Sequence, residues 1–178
     1  MKLLGKSIYL DTLKREDCRK IYEDYEFDET CPAEVLIPGV AVERADDWYE
    51  EIQKLQGNTN IRLGIFLLDG TVIGDVALQD IDFKNRCCSI GIGIAKIENR
   101  SNGYGSEAIR LILSYGFRFL PFERITANTA DINIPCQHAL ERCGFKLEGR
   151  ERKSLFLDGN WHDRYRFAIL REEYETMC

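Results

Sequence analysis

The chain has 178 residues, of which 44% are hydrophobic and 30% are charged, and this composition is typical of a single globular domain over residues 1–178. Its formal net charge of −6 argues against nucleic-acid binding as the main task, because nucleic-acid-binding proteins usually carry a basic surface. No run of about 18 apolar residues occurs, so we expect no membrane span.

Seven cysteines and two histidines limit the metal and redox chemistry that we expect of the chain. The number of cysteines is odd, no Cys-x-x-Cys spacing occurs, and the charged N-terminal residues lack the pattern of a secretory signal. We therefore expect reduced thiols and a cytoplasmic location. With only His138 and His162 available, we expect no metal site.

Hydrophobic periodicity predicts a strand and two helices in the first third of the chain. Apolar residues alternate over 7–13, as in a half-buried strand, and recur at helical spacing over 15–25 and 43–55. Residues 27–42 contain two prolines and a glycine and are predicted to form a loop.

The remainder of the chain predicts a sheet interrupted by two helices. Asp69-Gly70 supplies the positive φ angles of a tight hairpin turn between two apolar runs. The predicted strands are 61–68, 71–80, 86–95, 124–130, 146–157 and 161–170, and the predicted helices are 105–120 and 134–143. This order of strands and helices predicts a mixed α/β (α+β) fold.

The most informative stretch is residues 89–107, which read SIGIGIAKIENRSNGYGSE. An apolar strand here leads into a turn with the pattern Arg-x-x-Gly-x-Gly, formed by Arg100, Gly103 and Gly105, and then into a helix. Backbone N–H groups in such a turn, together with the positive end of the helix dipole, favour a phosphate or pyrophosphate. The spacing fits neither a P-loop nor a Rossmann fingerprint. Alternatively, the glycines serve only a tight turn.

Five segments in order resemble the GNAT (GCN5-related) N-acetyltransferases, and most closely their RimJ/RimL-like branch of ribosomal-protein N-terminal and spermidine acetyltransferases. The segments are IGIGI (90–94), RSNGYGSEA (100–108), Asn133, ERCGF (141–145) and GNWHD (159–163). The resemblance implies the GNAT acyl-CoA N-acyltransferase fold. That fold has a central, mostly antiparallel sheet with a splayed strand pair and helices on both faces.

The resemblance also implies acetyl-CoA as cosubstrate. Strand backbone would pair with the pantetheine arm, Gly91 and Gly93 would suit a bulge in that strand, and the glycine turn would wrap the pyrophosphate. Ser-Asn stands where the family commonly has Gly-Lys, so one positive charge is missing. The residues assigned to the cofactor are Ile92, Ile94, Arg100, Ser101, Asn102, Gly103, Tyr104, Gly105, Ser106 and Asn133. Asn133 also suits a helix N-cap, and both roles are compatible.

Acetyl transfer to a primary amine requires a proton acceptor, a polarised carbonyl and a stabilised leaving thiolate. Many family members carry a tyrosine seven residues after the asparagine, where this chain has Leu140. Cys136 is a candidate donor to the thiolate, although a lone cysteine is more often a small buried hydrophobe. Asp75 and Asp131 are candidate bases. Either carboxylate could instead face solvent or cap a helix, and a water chain would serve equally well.

The acceptor stays open among a peptide N-terminus, a polyamine and another small amine. Acidic residues between positions 23 and 34 stand near aromatic residues and could bind a cation, although charged runs are usually solvated surface. We expect direct transfer in a ternary complex; the alternative is a non-catalytic acyl-CoA-binding module on the same fold. The alternation of Trp161, Tyr165 and Phe167 suggests an edge strand and a possible homodimer.

Overall fold

In the computed structural model, which describes residues 2–28 and 41–177, the chain forms one eight-stranded sheet. The spatial order of the strands is β1-β2-β3-β4-β5-β6-β8-β7. The strands are β1 (Leu3–Leu4), β2 (Ile8–Asp11), β3 (Ile61–Leu67), β4 (Val72–Asp82), β5 (Cys87–Ile94), β6 (Arg124–Ala130), β7 (Lys146–Leu157) and β8 (Asn160–Leu170). The helices are α1 (Arg15–Glu23), α2 (Arg44–Leu55), α3 (Tyr104–Phe119), α4 (Ile134–Arg142) and α5 (Arg171–Met177). Of the loop predicted over 27–42, residues 29–40 lie outside the described part of the chain.

Strand pairing in the sheet is antiparallel except between β5 and β6. These two central strands run parallel and pair only from Cys87–Ser89 to Arg124–Thr126. Beyond Ser89 and Thr126, β5 continues to Ile94 and β6 to Ala130 without pairing to each other. The expected mostly antiparallel sheet with a splayed strand pair is therefore confirmed.

Helices cover both faces of the sheet, as expected. On one face, apolar residues of α3 at helical spacing, including Ile109 and Ile112, pack with Val76 and Leu78 of β4 in the main core. On the other face, α1 and α2 enclose a smaller core around Phe66. In residues 2–28 and 41–177, no helix is long and apolar enough to cross a membrane.

The bulge expected at Gly91 and Gly93 lies elsewhere. Pairs between β4 and β5 run without a shift from Gly74 opposite Ile94 to Gln79 opposite Ser89, and the irregularity comes at the next residues of β4. Asp80 there has a φ of 53°, a left-handed conformation that aspartate tolerates better than most residues. The close approach of the two strands depends on Gly74 of β4, since a Cβ there would overlap the carbonyl oxygen of Gly93.

The expectation that the strand of Trp161, Tyr165 and Phe167 lies at the sheet edge is wrong. This strand, β8, lies between β6 and β7, and Phe167 is buried in the main core. The edge strand is β7. Its exposed Phe156 makes an edge-on contact with exposed Trp161, with ring centroids 5.3 Å apart.

Two short elements, β1 and α5, have no counterpart among the predicted ones. Arg171 at the start of α5 donates from its guanidinium to the carbonyl oxygens of Phe117, Leu120 and Phe122, the last at 2.5 Å. These carbonyls lie at and just beyond the end of α3, where helical partners are missing. Arg171 therefore fixes the end of α3 to the last strand of the chain.

Candidate active site

The central feature of the site is the slot between β5 and β6, bounded by Ile90–Ile94 on one side and Ala127–Ala130 on the other. The slot closes where Ser89 pairs with Thr126. The side chains of Ile92 and Ile94 point toward the start of α3, each with its Cδ1 3.8 Å from the Cβ position of Gly105. Their backbone N–H and C=O groups on the β6 side therefore face the slot without a strand partner in the described chain.

At the open end of the slot, the chain makes a 3₁₀ turn (Ile97–Asn99) and then enters α3 through residues 100–106, which we call the glycine loop. Ser101 and Gly103 have φ angles of 61° and 86°, and residues 101–103 are exposed. The Asn102 side chain donates to the carbonyl of Glu98 at 2.8 Å and holds the turn together. The first N–H groups of α3 lack intrahelical partners, so this loop can hold an anion.

The Arg100 side chain holds the glycine loop against the end of β5 and the segment after α1. Its guanidinium donates to the carbonyl oxygens of Ile94 (3.1 Å), Ala95 (3.2 Å) and Glu26 (3.0 Å) and to a carboxylate oxygen of Asp28 (3.0 Å). The Nε, Nη1 and Nη2 atoms of Arg100 all donate to oxygens of the protein itself. Arg100 thus ties the end of β5 and the glycine loop to the segment that follows α1.

The same segment is also held by Glu26. Its N–H donates to the carbonyl of Ala95 at 3.0 Å, and its carboxylate accepts from the N–H of Ile97 at 2.6 Å. Two of the acidic residues proposed for cation binding, Glu26 and Asp28, therefore have partners in the glycine-loop region. Glu29 and Glu34, from the same acidic group, lie outside the described residues.

Asp75 on β4 is a buried carboxylate on the α1–α2 side of the sheet. Its carboxylate pairs with the guanidinium of Arg62 on β3, which also donates to Gln79 at 3.4 Å. Burial raises the pKa of the Asp75 carboxyl, and the Arg62 charge opposes that rise. Asp75 stands opposite Gly93 on β5, and its Oδ1 is 3.6 Å from the Cβ position of that glycine. A side chain at position 93 would cover the carboxylate.

Aromatic rings and a thiol cover this ion pair. The Arg62 guanidinium lies 5.7 Å from the centre of the Trp48 ring, which in turn contacts Tyr22 with 5.6 Å between ring centroids. Desolvation is the main cause that raises the pKa of the Cys18 thiol to about 12, and the nearby charge of Asp75 adds to it. The thiol therefore stays neutral, and the surroundings of the ion pair on this face of the sheet are largely apolar.

Asp131, the other candidate base, follows β6 directly. One of its carboxylate oxygens lies 3.0 Å from Nδ1 of His162, and the other accepts from the N–H of Asp163 at 3.2 Å. The N–H of Asp131 donates to the carbonyl of Asp163 at 2.9 Å. The carboxylate of Asp131 is thus fixed on the imidazole of His162 at the start of β8.

Asn133 is the N-cap of α4, since its side-chain oxygen accepts from the N–H of Cys136 at 3.1 Å. Cys136 is half-buried beside the main core. Leu140 is 2% exposed and packs in that core. It stands at the position where many family members carry a tyrosine. The described structure offers no hydroxyl at this position of α4.

The sequence patterns did not predict which residues pair with Asp75, Asp131 and Arg100. Arg62 gave no local signal, because its ion pair with Asp75 depends on the register of β3 and β4. His162 lies in the GNWHD segment, but the sequence pattern did not indicate a catalytic role for it. The contact between Arg100 and Asp28 joins residues 72 positions apart.

We predict that Arg62→Met destabilises the protein more at pH 8 than at pH 5. Removing the guanidinium leaves a buried carboxylate unpaired and raises the pKa of Asp75 further. A raised carboxyl pKa favours the folded state only while the group is protonated, and this contribution is lost as the pH rises through the folded-state pKa. Breaking a buried pair costs about 3–5 kcal/mol. Urea unfolding between pH 5 and pH 8 measures the loss.

The matched control for this prediction is Arg19→Met. Arg19 pairs with Asp46 on the exposed surface of α1 and α2, so its removal should change the free energy of unfolding little at any pH. A pH-independent loss for Arg62→Met would contradict the proposed electrostatic coupling to Asp75.

The comparisons with known proteins agree with this geometry. Residues 8–146 match the Acetyltransferase (GNAT) domain family. The Bacillus subtilis (strain 168) protein YdaF, whose name assigns it provisionally to ribosomal N-acetylation, is 33% identical over 129 residues, which cover 72% of this chain and 68% of that protein.

Two solved structures show the same fold over nearly their full length. A chimera of the Vibrio cholerae spermidine N-acetyltransferase SpeG and hSSAT superposes with a TM-score of 0.83 and 26% identity, covering 96% of this chain and 99% of the chimera. The Vibrio cholerae spermidine N-acetyltransferase in complex with CoA and spermine gives a TM-score of 0.79 and 25% identity over the same shares of the two chains. With the splayed strands, the glycine loop and the family match in agreement, the chain belongs to the GNAT acetyltransferase family and is an acetyl-CoA-dependent N-acetyltransferase.

Proposed function

We propose that residues 1–178 act as one catalytic domain that transfers the acetyl group of acetyl-CoA directly to a primary amine bound beside Asp75. The observation that carries this proposal is the slot between β5 and β6, which runs into the glycine loop. A pantetheine arm has amides that require hydrogen-bond partners along a strand, and a pyrophosphate requires N–H donors at its end. This slot supplies both along one path.

We assign the pantetheine to the backbone of Ile92 and Ile94 and the pyrophosphate to the N–H groups of the glycine loop. In this assignment Arg100 contributes by fixing the loop, because its guanidinium is used by Asp28 and three carbonyls. Asn133 supports the arm from the start of α4. The backbone N–H groups near Ile94 polarise the thioester carbonyl.

Asp75 is the proposed contact for the acceptor ammonium. It is buried on the α1–α2 side, and Gly93 places no side chain against its Oδ1, which lies 3.6 Å from the Cβ position of that glycine. Cys136 is the proposed hydrogen-bond donor to the leaving thiolate, because Leu140 offers no hydroxyl. The alternative expected from the sequence, a module that binds acyl-CoA without turning it over, is not favoured, because the matching family and the named relatives are N-acetyltransferases.

A panel of primary amines tests the function. The purified protein is incubated with acetyl-CoA and, separately, with spermidine, spermine, a short peptide with a free N-terminus and a simple alkylamine, and the acetylated amine is identified by mass. We expect one class to be acetylated in preference to the others. Tight binding of acetyl-CoA with no acetylated product from any amine would overturn the proposal in favour of the binding module.

We predict that Gly103→Ala weakens acetyl-CoA binding at least tenfold. Nothing in the described chain lies within 4 Å of a Cβ at this position, so the new methyl group would meet only the bound pyrophosphate. The positive φ of 86° adds backbone strain of about 1–3 kcal/mol. Calorimetric titration with acetyl-CoA and thermal unfolding measure the two effects.

Gly57→Ala separates strain from cofactor contact. Gly57 also has a positive φ, 76°, with nothing within 4 Å of its Cβ position, but it lies in the turn after α2. The Gly57→Ala variant should lose about as much free energy of unfolding as Gly103→Ala and keep the parental affinity for acetyl-CoA. Equal affinities in both variants would show that the glycine loop does not hold the pyrophosphate.

We further propose that the protein forms a homodimer through β7. This strand is a sheet edge with unpaired backbone groups on one side in the described chain, and exposed apolar side chains of Leu147, Phe156 and Trp161 lie on it or beside it. Trp161→Lys should therefore convert a dimer into a 20.6 kDa monomer in sedimentation experiments. A parental protein that is monomeric at micromolar concentration would contradict this proposal.

A cytoplasmic location is proposed from the thiols. Five cysteines lie in the described ranges, and none of them forms a disulfide there. Such a set of thiols suits a reducing compartment. The proposed partners are acetyl-CoA and the amine, with no role for nucleic acid, membrane or metal.

A further inference from the structure

The pair formed by Asp131 and His162 lies beside the slot and has no role in the function proposed so far. Asp131 follows the last residue of β6, the strand that bounds the slot opposite β5. His162 is on β8, whose residue Arg164 pairs with Ala130 at the end of β6. Both side chains are partly buried, with 27% and 19% exposure.

The orientation of the imidazole is fixed through one nitrogen. Nδ1 lies 3.0 Å from a carboxylate oxygen of Asp131, and the second oxygen of that carboxylate is held by the N–H of Asp163. An ionised carboxylate accepts hydrogen bonds only, so Nδ1 carries the proton and Nε2 has the lone pair. Nε2 makes no hydrogen bond within the described chain.

The backbone around the pair is held by a second carboxylate. Asp163 is 6% exposed, accepts from the N–H of Lys153 at 2.7 Å and pairs with the guanidinium of Arg150 on β7. Its N–H and C=O both bond to Asp131. The network therefore constrains Asp131 and, through it, the imidazole of His162.

We propose that His162 is a catalytic base of the acetyl transfer and that Asp131 is its positioning residue. This inference rests on the proposed function and refines it: Asp131, a candidate base by sequence, acts through the histidine. Leu140 leaves no ionisable group on the inner face of α4 at the usual position, whereas the His162 imidazole is oriented by Asp131 through Nδ1 and keeps Nε2 without a hydrogen bond in the described chain.

The proton balance of the reaction contains a step in which such a group can act. The acceptor arrives as an ammonium ion and first loses one proton, by way of Asp75, to water. The neutral nitrogen then forms a bond to the acetyl carbon, and the carbon–sulfur bond breaks with its electron pair on sulfur. The nitrogen's second proton passes to Nε2 of His162 and from there to the thiolate. Ammonium and thioester thus yield amide, thiol and one free proton.

The charged groups around His162 come from the end of β6, from β7 and from β8. Asp131 faces the ring from the end of β6, Asp163 neighbours it on β8, and Arg150 on β7 is paired with Asp163. The residue opposite His162 on β7 is the apolar Leu155. Asp131 is therefore the carboxylate that contacts the ring directly.

We expect His162→Ala to lower kcat for the best amine of the panel by about 100-fold. Its affinity for acetyl-CoA, measured by calorimetry, should stay within about twofold of the parent. Added imidazole should restore part of the rate, measured as acetylated amine so that imidazole-catalysed thioester hydrolysis does not count. Asp131→Asn should lower kcat and leave the affinity for acetyl-CoA within about twofold of the parent, because the imidazole loses the carboxylate that orients it.

The control is His138→Ala, since His138 on the exposed side of α4 is the chain's other histidine. It should keep the parental rate and gain nothing from imidazole. His162→Gln, which keeps the side-chain volume more nearly, replaces His162→Ala if the latter unfolds. Parental rates in the His162 variants, or a loss confined to acetyl-CoA affinity, would overturn the inference. A parent that acetylates no amine would instead overturn the proposed function.

Discussion

The early parting of β5 from β6 is the constraint on which the rest of the structure depends. Three residue pairs join these strands, after which the backbone of each faces a gap. Unsatisfied backbone groups are costly in a protein interior, so a sheet split in this way requires support from elsewhere. Antiparallel partners, β4 for β5 and β8 for β6, hold each strand on its other side, and α3 packs across the region where the two strands are joined. The gap between β5 and β6 can stay open because each of these strands keeps an antiparallel partner on its other side.

Polar networks position the functional groups at the two sides of this gap. Arg62 and Asp75 form a buried pair on the α1–α2 side, where an acceptor would approach, and the low local dielectric makes the state of Asp75 sensitive to its partner. Asp131 and His162 form a second pair at the end of β6. The first pair joins the adjacent strands β3 and β4, and the second joins β8 to the residue that follows its neighbour β6, so the geometry of both depends on strand register. Register is well determined in a sheet with buried faces, and these groups are therefore held more firmly than loop residues would be.

Local patterns predicted most of the elements, whereas contacts between distant residues stayed hidden. The strand at β6 and the starts of α1, α4 and β7 were placed correctly by periodicity and by proline and glycine signals. Sequence also located the glycine loop and its positive-φ Gly103. It misplaced the bulge, because the left-handed residue is Asp80 and no glycine marks it. The sequence did not predict the spatial order of the last two strands. This order arises because β8 pairs with the edge of β6 opposite β5 and so separates β6 from β7. Pairs such as Arg100 with Asp28 follow from this tertiary arrangement.

The substitution at Leu140 and the network at His162 have a common physical explanation. A tyrosine hydroxyl on the inner face of α4 must be hydrated or hydrogen-bonded, which prevents that face from packing fully. With leucine there, α4 joins the main core, and Leu140 is 2% exposed. In the proposed reaction, the amine then transfers its proton to a group outside this helix, the His162 imidazole at the start of β8, while Cys136 on α4 donates to the leaving thiolate. An imidazole held by a carboxylate on a strand keeps its orientation without a polar group in the core. The chain can thus combine an apolar α4 interface with an ionisable group beside the slot.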